Sequence, residues 1–187
     1  MIRPVPDRIE LRLPDPCLVV LMGAAGSGKS TLAARHFAPG DVLSSDTLRE
    51  RIAGDAADQR ATGAAFAALH RALTHRLAQR QLAVVDATSA SARERRPLLA
   101  AARAAGIPAI AIVLDLPAAL VLARNADRPG RSVPEDAVRR HLNRLAASLR
   151  PPGLEAEGFA RVLVLRDQGE VDALVVVRGP AAPAEHR

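Results

Sequence analysis

The sequence predicts an α/β fold in which a parallel β-sheet is sandwiched by helices. Short unbroken apolar runs, typical of strands covered on both faces, alternate with longer segments whose apolar residues recur every three or four positions. Neither a linker nor an internal repeat interrupts this alternation. With 187 residues, 49% of them apolar, the chain has enough material for one core. We therefore expect one domain at residues 1–178 with right-handed crossovers, and a disordered tail at residues 179–187.

The apolar runs predict the strands of this sheet, and the segments between them predict the helices. The predicted strands are residues 17–22, 41–46, 81–88, 107–116 and 159–165. The predicted helices are residues 30–37, 47–53, 61–80, 91–105, 117–126 and 134–149. In the longest helix Phe66, Leu69, Leu73 and Leu77 recur at spacings of three and four. Residues 170–177 fit either a short helix or a short strand.

The loop after the first predicted strand carries a phosphate-binding pattern. Residues 23–30 read GAAGSGKS and match G-x-x-x-x-G-K-[ST] at every fixed position, which predicts the P-loop NTPase fold. The following helix points its N-terminal N–H groups at the loop, so we expect ATP phosphates there and the Ser30 hydroxyl on Mg²⁺. The residues expected to bind the nucleotide are Gly23, Ala24, Ala25, Gly26, Ser27, Gly28, Lys29, Ser30 and Thr31.

Lys29 is the only lysine among the 26 lysine and arginine residues of the chain. One explanation is a general bias toward arginine in this chain, with a single lysine present by chance. The P-loop context favours another, because a compact ammonium on a flexible stem can follow a phosphoryl group where a planar guanidinium cannot. We therefore interpret Lys29 as a functional residue.

The second predicted strand ends in an aspartate that is a candidate general base. The carboxyl ends of parallel strands bind ligands. With this strand adjacent to the P-loop strand, Asp46 is expected near the γ-phosphate, where it can accept the proton of an attacking hydroxyl. Three residues later, Arg49 shares a helix face with Asp46 and offers a fork for an acceptor phosphate. The alternative is that Asp46 only caps the following helix.

Two further features add to the predicted site. Asp86 closes the strand AVVDAT, as a Walker-B-like residue does when it holds the water shell of Mg²⁺; a structural cap or turn is the alternative. Arg124 and Arg128 lie four apart on one helix face, and Arg131 follows beyond Pro129 and Gly130. This stretch predicts an arginine-bearing lid over the phosphates, with a solvated basic turn as the alternative.

The composition excludes several classes of protein. One cysteine cannot build a disulfide framework, and the five histidines show no zinc spacing. No stretch approaches the ~20 apolar residues of a membrane span. The charged, proline-rich N-terminus is unlike a signal peptide, so we expect a cytoplasmic protein without membrane contact.

The net charge and the aromatic content of the chain indicate what kind of partner it binds. A net charge of +6 indicates a polyanion such as nucleic acid, and an arginine-rich surface without such a partner is the alternative. With no Trp, no Tyr and three Phe, the chain has almost no platform for stacking bases. Any nucleic acid is therefore expected to be held mainly by its phosphates.

Several motifs occur together in the order and spacing of a known family. They read LVVLMGAAGSGKSTLAARHF, LSSDTLR, DQRATGAAFAALH, VVDAT, ARNADR and EGFARVLVL. Over residues 9–178 they resemble the kinase module of bacterial polynucleotide kinase-phosphatase, an end-healing enzyme of RNA repair. Because many unrelated NTPases share the P-loop, the further motifs make the resemblance specific. It implies ATP-dependent phosphorylation of a 5'-hydroxyl end of RNA or DNA.

The resemblance implies roles for individual residues. Lys29 and Ser30 correspond to the P-loop residues that bind the triphosphate and Mg²⁺. Asp46 corresponds to the general base for the 5'-hydroxyl, and Arg49 to the arginine that contacts the acceptor phosphate. Ser89, just after VVDAT, departs from the family because relatives often have asparagine there.

The motif RNxxR contributes the lid in this family. Its two arginines hold the ATP phosphates and correspond to Arg124 and Arg128. The expected catalytic residues are Lys29, Asp46, Arg49 and Arg124, and the expected metal-binding residues are Ser30 and Asp86. In the family the polypeptide continues into a metallophosphatase and a ligase-like domain. We expect this chain to consist of the kinase module, either working in repair with a separately encoded phosphatase and ligase or as an excised module.

Two other functions remain open from the residues. A P-loop kinase of a small metabolite, such as a sugar acid or a nucleotide sugar, would need the same loop; the basic charge and Arg49 argue weakly against it. A nucleotide-binding switch or ATPase would transfer phosphate only to water. No glutamate stands beside Asp86 to polarise that water, which disfavours this function.

Overall fold

The computed structural model describes residues 8–54, 62–128 and 132–180. Its strands are β1 (Ile9–Asp15), β2 (Leu18–Met22), β3 (Val42–Ser44), β4 (Ala83–Asp86), β5 (Ala109–Leu114), β6 (Arg161–Leu165) and β7 (Leu174–Pro180). Strands β2 to β6 form one parallel sheet in the order β3-β4-β2-β5-β6. The expectation that β3 is adjacent to the P-loop strand β2 is therefore wrong, because β4 lies between them. Parallel neighbours need crossover connections, which helices on the faces of the sheet supply.

Helices cover both faces of this sheet. They are α1 (Lys29–His36), α2 (Ser45–Ala53), α3 (Thr62–Ala78), α4 (Ala92–Ala104), α5 (Ala118–Ala126), α6 (Glu135–Ser148), α7 (Gly153–Glu157) and α8 (Gln168–Ala173), with a short 3-10 helix at Pro39–Asp41. Alternate residues of β2 point to opposite faces: Val19 packs in one apolar cluster with Leu32, and Val20 packs in the other with Leu73 and Leu98. The predicted α/β class is therefore confirmed. In the described part of the chain, no helix combines the length and the apolar character needed to cross a membrane.

A second, two-stranded sheet was not predicted. Strands β1 and β7 pair in parallel in a sheet of their own, and their Leu11, Leu13 and Leu174 pack in the same apolar cluster as Val19 of β2. Leu11 and Leu13 of β1 are buried, whereas the residues between and around them are polar or proline. Ile9 packs on the same apolar cluster as Leu11 and Leu13. This alternation of three apolar residues is short and lies within a charged, proline-rich segment, so it was not recognised as a strand.

The C-terminal region resolves the ambiguity of residues 170–177. Both predicted states occur there, since α8 ends at Ala173 and β7 begins at Leu174. Strand β7 continues to Pro180, two residues into the segment 179–187 for which a tail is predicted. The remaining tail residues, 181–187, lie outside the described residues.

Arg95 on α4 is a fully buried charged side chain that joins several elements. Its Nε and Nη2 donate to the two carboxylate oxygens of Glu157 on α7, at 2.8 and 2.6 Å. Nη2 also donates to Ser148 Oγ at the end of α6, and Nη1 donates to the carbonyl of Ser89, at 2.9 and 2.8 Å. Ser89 has φ 45°, a left-handed conformation that asparagine adopts more readily than most residues. Arg95 therefore ties the loop after β4 to α4, α6 and α7.

We expect Arg95→Met to lower the free energy of unfolding by about 3 kcal/mol, because it removes one partner of a largely buried ion pair and keeps most of the side-chain volume. Urea denaturation measures the change. Arg96→Met is the matched control, since Arg96 is exposed on the same helix and its replacement should cost less than about 0.5 kcal/mol. Equal losses in the two variants would contradict a special contribution of Arg95.

Candidate active site

A cavity of about 980 Å³ opens at the carboxyl edge of the main sheet. Its walls come from the segments that follow β2, β3, β4, β5 and β6. The carboxyl ends of parallel strands meet at one edge, where open α/β sheets bind their ligands. The cavity is lined by every predicted site residue except Gly23 and Ala24, the first two residues of the P-loop. The folded chain thus brings the predicted residues together.

The P-loop is shaped by its glycines and by its packing against α5. Gly26 has φ 85°, and a Cβ there would lie 2.4 Å from the carbonyl oxygen of Val121 on α5. Gly28 is the N-cap of α1 with φ 94°, so α1 begins at Lys29, one residue earlier than predicted. The Ser27 hydroxyl is buried and has no hydrogen-bond partner within the described residues. A bound phosphate or water is the kind of group that satisfies such an atom.

Lys29 is folded back onto the loop that carries it. Its Nζ donates to the carbonyl oxygens of Gly23 and Ala24, at 2.8 and 3.0 Å. Burial lowers the pKa of Lys29, whereas the nearby carboxylates of Asp86 and Asp46 act in the opposite direction. Phosphate oxygens bound in the loop would add negative charge and favour the ammonium form further.

Ser30 and Asp86 meet at the floor of the site. Ser30 Oγ donates to Asp86 Oδ2 at 2.7 Å, across 56 residues of sequence. Asp86 ends β4, and the strand register places it opposite Leu21 of β2 on one side and Ser44 of β3 on the other. A hydroxyl beside a carboxylate is the hard oxygen pair that Mg²⁺ prefers, so these two residues fit a magnesium ion.

Asp46 lies in the first turn of α2, one turn before Arg49. The helix begins at Ser45, two residues earlier than predicted, and Ser44 is its N-cap, accepting a hydrogen bond from the backbone N–H of Thr47 at 3.4 Å. The interpretation of Asp46 as the cap is therefore wrong. Instead the Asp46 carboxylate accepts a hydrogen bond from Arg49 Nη2, and both residues line the cavity.

The predicted lid residues Arg124 and Arg128 both line the cavity. Arg124 Nη2 donates to Oε1 of Gln168 on α8 at 2.9 Å, a contact that the sequence does not predict. Pro129, Gly130 and Arg131 lie outside the described residues, so the lid itself stays a prediction.

Two further cavity residues were missed by the sequence analysis. Glu94, in the first turn of α4, accepts a hydrogen bond from the backbone N–H of Ser91 at 2.9 Å and also lines the cavity. His141 on α6 lines it too; burial lowers the pKa of His141, and Glu94 opposes this shift. Neither residue belongs to a motif for phosphoryl transfer: Glu94 completes a capping box with Ser91, and His141 occupies a half-buried helical position.

Comparison with known proteins identifies the family. The family model described as AAA domain (AAA_33) matches residues 18–152. No curated protein matches the chain.

Solved structures share the fold. The chain is similar to the Pnkp1/Rnl/Hen1 RNA repair complex at 24% identity and a TM-score of 0.62, covering 72% of this chain and 45% of that one. It is similar to a sugar kinase from Janibacter sp. HTCC2649 at 23% identity and a TM-score of 0.52, covering 81% and 85%. It is also similar to Kti12 from Chaetomium thermophilum in complex with ADP-AlF3, at 18% identity and a TM-score of 0.55, covering 84% and 93%. At these identities the likeness shows the fold alone.

The family match extends from β2 to beyond α6 and so includes the P-loop, Asp46, Asp86, Arg124 and Arg128. The chain therefore belongs to the AAA domain family AAA_33 and is a P-loop kinase-like domain.

Proposed function

We propose that this chain is an ATP-dependent polynucleotide kinase that phosphorylates the 5'-hydroxyl end of RNA or DNA. The observation that carries the proposal is the pair formed by Asp46 and Arg49, which line the same cavity as Lys29. A carboxylate beside a guanidinium suits an acceptor that presents a hydroxyl next to a phosphodiester. The net charge of +6 also favours a polyanionic acceptor.

In the proposed reaction Asp46 accepts the proton of the 5'-hydroxyl while the hydroxyl oxygen attacks the γ-phosphorus. The bond between that phosphorus and the β–γ bridging oxygen breaks, and ADP leaves with the electron pair. Lys29, Arg124 and Arg128 stabilise the negative charge that spreads over the phosphate oxygens. Ser30 and Asp86 are the residues that would hold Mg²⁺, which when bound neutralises charge on the β- and γ-phosphates.

Arg49 can serve both the base and the acceptor. Only its Nη2 donates to Asp46, and its buried Nε has no hydrogen-bond partner within the described ranges. A guanidinium carries five N–H donors in a rigid fork, so one nitrogen can hold the carboxylate while another donates to an acceptor phosphate. The pair would then align the 5'-hydroxyl with Asp46 through the phosphate that follows it.

A small-metabolite kinase is the second candidate. Glu94 and His141 line the cavity and supply polar groups of the kind that bind the hydroxyls of a sugar acid or a nucleotide sugar. This function needs the same P-loop and the same base, but it does not need a phosphate contact from Arg49. The two candidates therefore differ in what Arg49 contributes.

We expect the parent protein to phosphorylate a 5'-hydroxyl oligonucleotide roughly tenfold or more better than its 5'-terminal nucleoside, because the nucleoside lacks the phosphate that Arg49 would hold. The measurement is the ratio of the two kcat/KM values with γ-labelled ATP. Arg49→Ala should narrow this ratio, whereas Arg124→Ala should impair both acceptors alike through the ATP phosphates. The apparent affinity for the oligonucleotide should fall as salt rises, because phosphate contacts release counterions.

Arg51→Ala is the matched control, since Arg51 is an exposed arginine on the same helix and is absent from the cavity wall. It should leave the ratio unchanged. A parent ratio near one, or a clear preference for a sugar acid, would argue against the polynucleotide acceptor and leave the P-loop kinase standing.

A further inference from the structure

Arg124 lies on the turn of α5 that packs against the P-loop. A Cβ on Gly26 would lie 2.4 Å from the carbonyl oxygen of Val121 and 2.9 Å from the backbone N of Asn125. Arg124 stands between these two residues of α5 and lines the cavity. Its guanidinium is therefore near the loop that binds phosphate. A free arginine side chain would lose rotamer freedom on binding a phosphate there, which would weaken the contact.

Gln168, the first residue of α8, accepts a hydrogen bond from this guanidinium. Its Oε1 lies 2.9 Å from Arg124 Nη2, and its Nε2 donates to Asp172 Oδ1, one turn further along α8, also at 2.9 Å. Both ends of the amide are therefore engaged, which orients the Gln168 side chain. Among the described residues Gln168 is the one hydrogen-bond partner of Arg124, so further N–H donors of the guanidinium remain for a ligand.

Helix α8 is held in place by contacts of its own. Asp167 is its N-cap and accepts a hydrogen bond from the backbone N–H of Glu170 at 2.8 Å. Asp172 Oδ1 lies 3.5 Å from Nη1 of Arg35 on α1, the helix that follows the P-loop. The short helix thus contacts α1 near its end and presents Gln168 to α5 at its start. Arg35, Gln168 and Asp172 all line the cavity together with Arg124.

We propose that Gln168 is a positioning residue, which orients the Arg124 guanidinium for the ATP phosphates before the nucleotide binds. The proposal rests on the proposed function in the role that this function gives to Arg124. Gln168 acts through Arg124 and not through a contact of its own with ATP. Preorganisation of this kind raises affinity without adding a contact to the ligand, because less freedom is lost on binding.

A double-mutant cycle on ATP affinity tests this role without any acceptor. By isothermal titration calorimetry with ATP and Mg²⁺, Arg124→Ala should weaken binding roughly tenfold or more, the scale of a lost hydrogen bond to a charged group. Gln168→Ala should weaken it roughly three- to tenfold, the scale of one ordinary hydrogen bond. In the double variant the affinity should equal that of Arg124→Ala alone. Effects that multiply would overturn the proposal, as would unchanged or tighter binding in Gln168→Ala.

The phosphate chain of the nucleotide gives a second readout, which a merely structural role would not move. Both single variants should weaken the binding of ATP more than the binding of AMP, because both disturb a guanidinium that serves the outer phosphates. An equal loss for ATP and AMP in Gln168→Ala, beside an unequal loss in Arg124→Ala, would overturn the proposal. Gln168→Ser takes the place of Gln168→Ala if the alanine variant does not fold, since serine is also too short to reach Arg124.

Two control variants separate positioning from general disturbance. Gln79→Ala removes the same side chain at an exposed position just after α3, away from the cavity, and should leave the ATP affinity unchanged. Leu154→Ala, at a fully buried site on α7 that does not line the cavity, should lower the melting temperature and leave the ATP affinity unchanged. A loss of ATP affinity in Leu154→Ala as large as that in Gln168→Ala would overturn a specific role of Gln168.

The outcomes also separate this role from the proposed function. A parent protein that binds no ATP would overturn both. A parent that binds ATP while Gln168→Ala binds it equally well would overturn the role of Gln168 alone. A cycle with the expected result, in a protein that does not phosphorylate 5'-hydroxyl oligonucleotides, would overturn the polynucleotide acceptor and support the role of Gln168.

Discussion

We expect Lys29→Arg to lower phosphoryl transfer roughly 100- to 1,000-fold although it preserves the positive charge, the scale of a lost preorganised electrostatic contact. Lys29 Nζ sits within hydrogen-bond distance of two carbonyl oxygens of its own loop, those of Gly23 and Ala24. A guanidinium is larger, planar and differently aimed, so it cannot occupy this position without displacing the loop. The loop has little room on the side of α5, since even a Cβ added to Gly26 would lie 2.4 Å from the carbonyl oxygen of Val121.

The measurement is kcat with saturating ATP, together with the ATP affinity and the melting temperature. Arg71→Lys is the matched control, because it exchanges the same two residue types at an exposed position on α3. It should leave all three values unchanged. Activity of Lys29→Arg within a few-fold of the parent would contradict a functional requirement for lysine. The presence of the only lysine of the chain at this position would then be due to chance.

The main sheet was predictable because each of its strands is a short apolar run between polar or glycine-rich segments. Strand β5, for example, is buried along its whole length, so its sequence AIAIVL carries a strong signal. Strand β1 carries a weak one, since its stability depends on pairing with β7, more than 150 residues later. Helix α7 was missed because five residues are too few to show a helical period. Local sequence patterns predict elements whose own residues are mostly apolar and buried. Elements that depend on a partner distant in sequence do not show such a pattern.

Some features of the candidate site could likewise be predicted from the sequence, and others could not. Lys29, Ser30 and Asp86 could be predicted because a loop motif and the ends of parallel strands fix them locally. The contact between Arg124 and Gln168 could not, since 44 residues separate them and nothing in the sequence of α8 marks a partner. The two hydrogen bonds between the Asn125 side chain and the backbone of Val133 span only eight residues. They could not be predicted either, because nothing in the sequence distinguishes Asn125 from an ordinary polar residue of a helix.

We expect Asp46→Asn to lower kcat roughly 100-fold or more while it leaves the affinity for ATP largely intact, the usual scale of a lost general base. The amide is nearly isosteric with the carboxylate and can still accept a hydrogen bond from Arg49. It cannot take up the proton of the acceptor hydroxyl. A single-turnover assay with prebound ATP isolates this step from binding and from product release.

Ser44→Ala provides the control that separates chemistry from helix capping. Because Ser44 is the N-cap of α2, its replacement should lower the free energy of unfolding by about 1 kcal/mol and leave kcat within a few-fold of the parent. Asp46→Asn should show the reverse, a nearly unchanged stability and a large loss of turnover. The two residues are two positions apart, so a general disturbance of α2 would affect both variants alike. Normal turnover in Asp46→Asn would leave Asp46 as a partner of Arg49 in the helix and would remove the base from the proposed reaction.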